Sequence, residues 1–131
     1  MKKIFEVIVF TASQKSYADA VLDYLDPERK YFEHRLYRKN CVVVNGAHIK
    51  DLRIFENREV KNVVIVDNSV ISFAYQIDNG VPIIPWHNDS RDQELFKLID
   101  YLKVIANSED LCEVNRKTFN LRSFQKNTSG N

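Results

Sequence analysis

Glycine is scarce here. The chain has three, at positions 46, 80 and 130. P-loops and the G-x-G-x-x-G turn of dinucleotide-binding folds need clustered glycines, so that the backbone can approach a phosphate closely. Isolated glycines exclude both. Cysteine is scarcer still: Cys41 and Cys112 stand far apart, with no C-x-x-C. A disulfide framework or a zinc cluster lacks material, and both residues read as reduced thiols of an intracellular protein. No charge sign dominates, because 19 Lys and Arg against 18 Asp and Glu leave a net charge of +1. Direct nucleic-acid binding or adhesion to a membrane surface is therefore not expected. No apolar run is long enough to span a bilayer, and no secretory signal pattern opens the chain. The expected location is intracellular, nuclear or cytoplasmic, with no membrane span. His34, His48 and His87 lack metal-ligand spacing and give little support to a hydrolase built on histidine.

What is present has order. Hydrophobic residues make up 44% of a chain long enough for one sizeable core. Three continuous apolar runs, residues 4–10, 63–66 and 81–84, read as strands buried on both faces. Helical spacing follows two of them. Tyr17, Val21, Tyr24 and Leu25 share one face, and Leu95, Leu98, Ile99, Leu102 and Ile105 form a stronger stripe. Ser90 with Gln93 suggests a capping box at the start of the later helix. Strands alternating with helices predict an α/β fold with a parallel sheet. Between the first two strands, "RLYRKNCVVVNGAHIKDL" carries Asn45-Gly46, a type I′ hairpin signal, and predicts an antiparallel insertion ending at Lys50-Asp51.

Two apolar runs stop abruptly at polar residues: "FEVIVFTAS" at Thr11 and Ser13, "KNVVIVDNSV" at Asp67, Asn68 and Ser69. Open α/β sheets bind ligands at the carboxyl ends of their strands. Thr11 and Ser13 with the amino end of the following helix suit a phosphate oxygen. Lys50 could add a point charge, and Asp67 with Asn68 could give hard oxygen ligands to Mg²⁺. Each residue also has a plainer reading. Thr11 suits a helix entry, Lys50 a solvated surface, and Asp67-Asn68 a turn.

Taken together, these stretches resemble the small C-terminal-domain phosphatases, also called NLI-interacting-factor-like phosphatases, of the haloacid dehalogenase superfamily. The resemblance runs through "FEVIVFTASQKSYADAVLDYLD", "RLYRKNCVVVNGAHIKDL", "NVVIVDNS" and "SFAYQIDNGVPI" to Trp86, Asp89 and Asp92. It implies a Rossmannoid parallel sheet with a hairpin insertion. It also implies Mg²⁺-dependent removal of phosphate from phosphoserine or phosphothreonine proteins through a phospho-aspartyl intermediate. Matched residue by residue, Thr11 would hold a phosphate oxygen and Lys50 would neutralise phosphate and nucleophile. Arg38 would lie near the substrate phosphate, Tyr17 would line the peptide pocket, and Asp67 with Asn68 would hold the metal. Ala20 and Val70 stand where prolines are usual, and His87 follows Trp86 where a phenylalanine is usual.

One departure touches the chemistry. The family's nucleophile and acid/base lie in an Asp-x-Asp-x-Thr strand upstream, and no Asp-x-Asp occurs in this sequence. Residues 1–114 thus read as a partial phosphatase domain, expected to lack its central first strand, with 115–131 a polar, partly disordered tail. As it stands the chain is expected to be inactive and to fold poorly alone. The alternative is a non-catalytic phosphopeptide-binding module.

Overall fold

In the computed structural model the described residues are 5–83, 91 and 93–121. They divide into two units, Met1–Lys50 and Asp51–Asn131.

The first unit opens with strand β1 (Ile8–Phe10), helix α1 (Lys15–Leu25) and strand β2 (His34–Leu36). β1 and β2 pair in parallel, Val9 opposite Arg35. A single 3₁₀ turn, Arg38–Asn40, leads to the hairpin β3 (Val42–Val44) and β4 (Ala47–Ile49). These two pair antiparallel, Val44 opposite Ala47. Asn45 and Gly46 both take positive φ, 50° and 81°. That is the backbone of the type I′ turn the Asn-Gly dipeptide predicts.

β2 corrects the sequence reading, which placed its residues in the hairpin insertion. Two of its three side chains carry nitrogen bases, which hides it from an apolar-run search. Arg35 can nonetheless be buried, because α1 brings carboxylates to it.

α1 brings a second correction of emphasis. The face formed by Tyr17, Val21, Tyr24 and Leu25 exists, but it points outward, with Tyr17 67% and Tyr24 87% exposed. Ala18 is the residue the helix buries. β1 is half-buried throughout rather than enclosed on both faces.

The second unit is built around strands β5 (Ile65–Asp67) and β6 (Gly80–Pro82), paired in parallel with Val66 opposite Val81. Between them residues 70–79 form kinked 3₁₀ turns with non-helical backbone at Phe73 and Gln76. Helices α2 (Glu94–Ile105) and α3 (Leu111–Phe119) follow. α3 crosses the boundary expected at residue 114. α2 begins with Gln93 at its N-cap, three residues later than the capping box implies; Ser90 itself lies outside the described residues, as do Trp86, Asp89 and Asp92. Asp110 caps α3 properly, its carboxylate accepting from the Cys112 and Glu113 N–H groups.

The core of this unit gathers Leu52, Ile65 and Phe73, with Phe55, Val63, Val70, Ile77 and Leu121 against it. Phe73 is fully buried. Its burial alone removes enough apolar surface to stabilise the unit by ~2 kcal/mol. The ring lies where a side chain at Gly80 would begin: a Cβ there would fall among its Cγ, Cδ2 and Cε2 atoms. Gly80→Ala is therefore expected to cost about 1–3 kcal/mol through overpacking. Urea unfolding would register this as a lower midpoint, and an unchanged midpoint would mean the ring has room to yield.

The α/β class expected from the sequence is thus the class observed, with parallel pairs and one antiparallel hairpin.

Candidate functional site

In the first unit the chain leaves β1 and turns at residues 11–13 before entering α1. Thr11 extends the strand ladder, its N–H donating to the Leu36 carbonyl at 2.9 Å. Its hydroxyl accepts from the Ser13 N–H at 3.1 Å, which folds the loop into a tight turn. Thr11 does not itself cap α1, but its hydroxyl closes the turn that enters the helix, as the plainer reading of a helix-entry hydroxyl has it. Gln14 occupies the N-cap and gives no side-chain hydrogen bond there. The first N–H groups of α1 thus have no side-chain cap beside this turn.

Arg38 is fastened to the same loop. Its backbone N–H donates to the Ser13 carbonyl at 3.0 Å, and its Nε donates to the Ala12 carbonyl at 2.6 Å. Arg38 is otherwise an exposed residue. Thr11, Ser13 and Arg38 are therefore one cluster, assembled by backbone as much as by side chains. Tyr17 stands exposed in the first turn of α1. Lys50 ends the hairpin, next to β4, and is buried.

Asp67 and Asn68 belong to the second unit. Asp67 closes β5, and its Oδ1 accepts from the Ser69 N–H at 3.0 Å. This is the side-chain turn that the plain reading expects. The Asp67 carbonyl accepts from the Ile83 N–H at 3.2 Å, which fixes the strand end against β6. Asn68 is exposed. One carboxylate and one amide oxygen at a strand end match in kind the few hard donors Mg²⁺ takes besides water and phosphate. Among the described residues no group of three or more His, Cys, Asp or Glu is arranged around a common metal position.

The profile of the NLI interacting factor-like phosphatases matches residues 1–112. The chain belongs to that family. It is 46% identical over 123 residues to CTD small phosphatase-like protein 3 of Caenorhabditis elegans, covering 93% of this chain and 42% of that protein. It is 48% identical over 118 residues to CTD small phosphatase-like protein 2 of Dictyostelium discoideum, covering 90% and 20%. A human CTD small phosphatase-like protein is 40% identical over 111 residues, covering 85% and 40%. The chain thus spans less than half the length of these relatives. Among solved structures it is similar to Fcp1, an RNA polymerase II CTD phosphatase, with a TM-score of 0.54 and 19% identity over 83% of this chain and 32% of that one. At that identity the likeness establishes the fold, of the haloacid dehalogenase type.

In this member of the NLI interacting factor-like phosphatase family, sequence reading passed over a second group of residues tied to α1. Asp19, on α1, accepts from Lys15 Nζ at 2.6 Å, from the Tyr37 hydroxyl at 2.6 Å and from Arg35 Nη1 at 3.1 Å. Arg35 Nη1 also reaches Asp23 at 2.8 Å. The Lys15 ammonium first, then the Tyr37 hydroxyl and Arg35, hold the Asp19 carboxyl well below the usual carboxylate range, against an opposing push from burial. The bond to Asp19 and burial push the Tyr37 phenol up. Arg35 keeps two buried nitrogens, Nε and Nη2, with no acceptor among the described residues. The available signal was the helical spacing of Lys15, Asp19 and Asp23, each four residues from the next. Among the described residues no helix is long and apolar enough to cross a membrane.

Proposed function

We propose that this chain carries the phosphate-holding part of a Mg²⁺-dependent protein serine/threonine phosphatase that works through a phospho-aspartyl intermediate. The observation that supports it is the fastening of Arg38 to the loop that carries Thr11 and Ser13. That arrangement puts an arginine on the loop that carries hydroxyl and amide donors, a combination suited to phosphate oxygens.

In this reading the phosphate of a phosphoserine or phosphothreonine side chain meets Thr11, Ser13 and the first N–H groups of α1. The terminal nitrogens of Arg38 grip its outer oxygens. Tyr17 offers an exposed ring to the peptide flanking the phosphate. Lys50 neutralises phosphate charge. In the second unit, Asp67 and Asn68 would be donors for Mg²⁺, and the chemistry it would supply when bound is the offsetting of phosphate charge. The attacking aspartate, and the second one that protonates the leaving serine or threonine oxygen, come from an Asp-x-Asp that these 131 residues do not contain. As for substrate, one human relative is named for the carboxy-terminal domain of RNA polymerase II. A phosphorylated serine-containing tail is the substrate class this reading favours.

That lack of an Asp-x-Asp favours a second reading for the chain as it stands: a phosphopeptide-binding module without turnover, using Thr11, Arg38 and Lys50.

Binding of a fluorescent phosphoserine peptide and hydrolysis of an aryl phosphate in Mg²⁺ test both. The chain is expected to bind the peptide and hydrolyse nothing. Arg38→Ala is expected to weaken binding roughly tenfold to a hundredfold, the range for losing charge-assisted hydrogen bonds. Binding indifferent to Arg38 would remove the phosphate site. Turnover by these residues alone would overturn the assignment of the nucleophile elsewhere.

A further inference from the structure

Tyr37 and Asp19 have no direct place in the phosphate cluster, yet the geometry ties them to it. Tyr37 immediately precedes Arg38 and begins the 3₁₀ turn that presents it. The Tyr37 N–H donates to Asn40 Oδ1 at 2.9 Å and its carbonyl accepts from the Asn40 N–H at 2.8 Å, so the turn is closed on itself. What fixes the closed turn against α1 is the Tyr37 hydroxyl, which donates to Asp19 at 2.6 Å. Asp19 is in turn steadied by Lys15 and by Arg35, whose side chain is 2% exposed. Tyr37 is itself buried, and from that place its hydroxyl reaches Asp19.

We propose that Asp19 and Tyr37 are positioning residues: their hydrogen bond locks the turn bearing Arg38 against α1, so that the Arg38 fork and the donors of residues 11–13 converge on one phosphate. This rests on the phosphate reading above. Arg38 reaches the loop through two carbonyls on adjacent peptides, Ala12 and Ser13, so a slip of the turn relative to α1 would pull its fork off target.

The test is inorganic phosphate binding to the full chain, followed by ³¹P resonance, for Tyr37→Phe, Arg38→Ala and the double variant. Tyr37→Phe keeps the packed ring and removes only the hydroxyl. It is expected to weaken binding about fivefold to tenfold in the parent and to have little effect once Arg38 is gone, a coupling expected of residues acting through one another. Asp19→Asn, which keeps an acceptor oxygen, is expected to weaken binding less than Asp19→Ala. Equal effects of Tyr37→Phe in both backgrounds, or none in the parent, would overturn the positioning role while leaving the phosphate site intact. If instead Arg38→Ala itself leaves binding unchanged, the phosphate reading fails and takes the positioning role with it. Circular dichroism of each variant separates these outcomes from loss of fold.

Discussion

Asn79→Asp is expected to unfold the second unit at neutral pH. Asn79 is 3% exposed. Its amide nitrogen donates to two backbone carbonyls at once, Val60 at 2.6 Å and Val63 at 2.7 Å. It thereby holds the segment before β5 to the segment before β6. An aspartate has nearly the same shape but no donor when ionised, and it would face two carbonyl oxygens with a negative charge. Leaving buried acceptors unpaired costs about 1–3 kcal/mol each, and an uncompensated buried charge about 3–5 kcal/mol. A domain has only about 5–15 kcal/mol in total. The sign of the pH dependence follows. Burial and repulsion raise the folded-state pKa of this aspartate above its unfolded value near 3.9. The folded variant therefore holds more protons than the unfolded one, and its stability falls as pH rises above about 4. Thermal unfolding at pH 4 and pH 7 should show the variant losing far more than the parent at the higher pH. Equal losses at both would mean that the carboxylate had found solvent.

The second large effect concerns the chain by itself. At micromolar concentration it is expected to self-associate. Among the described residues each of the three sheets has two strands, so β1 and β5 each have a single ladder partner there and one edge without a strand partner among them. Such edges recruit other strands unless they are blunted or covered. Apolar surface adds to the tendency: Tyr17, Val21, Tyr24 and Leu25 on α1, the three valines of β3, and Leu95, Phe96 and Val104 on α2 are all exposed. Stretches of that kind mark surfaces meant to be covered. Light scattering should show mass rising with concentration, and Tyr24→Lys with Leu25→Lys should lower it. A monomer with one cooperative unfolding transition would contradict the expectation.

Much of the architecture was legible because it rests on strong local signals. Asn45-Gly46 can hardly do anything but reverse a chain between β-prone runs, and it does. The polar ends of two apolar runs were read as strand ends, and Thr11 and Asp67 sit at the ends of β1 and β5. What was hidden had a physical reason in each case. β2 carries His34 and Arg35, and an arginine is expected outside until one knows that Asp19 and Asp23 await it from a helix twelve or more residues away. The kinked turns of residues 70–79 have no period at all, because Phe73 and Gln76 break the helix to place one ring in the core and one amide on Asp51 and Leu52. The outward face of α1 shows the limit of periodicity: spacing says which side chains share a side, and only packing says what lies against it. Of the candidate site, Thr11 and Ser13 were legible as the polar end of an apolar run and Arg38 from a matched motif. The carbonyls that hold Arg38 were not, since no side-chain pattern records them.

The fit between Phe73 and Gly80 has a consequence for motion. A phenylalanine ring turns over by sweeping a volume wider than its edge, and here the ring lies against Gly80 of β6, where a Cβ would overlap it. In a close-packed interior such a turn waits for neighbouring atoms to move aside. The Gly80 segment is among those neighbours, so the flip rate of the Phe73 ring is expected to report on local opening of the parallel pair β5–β6.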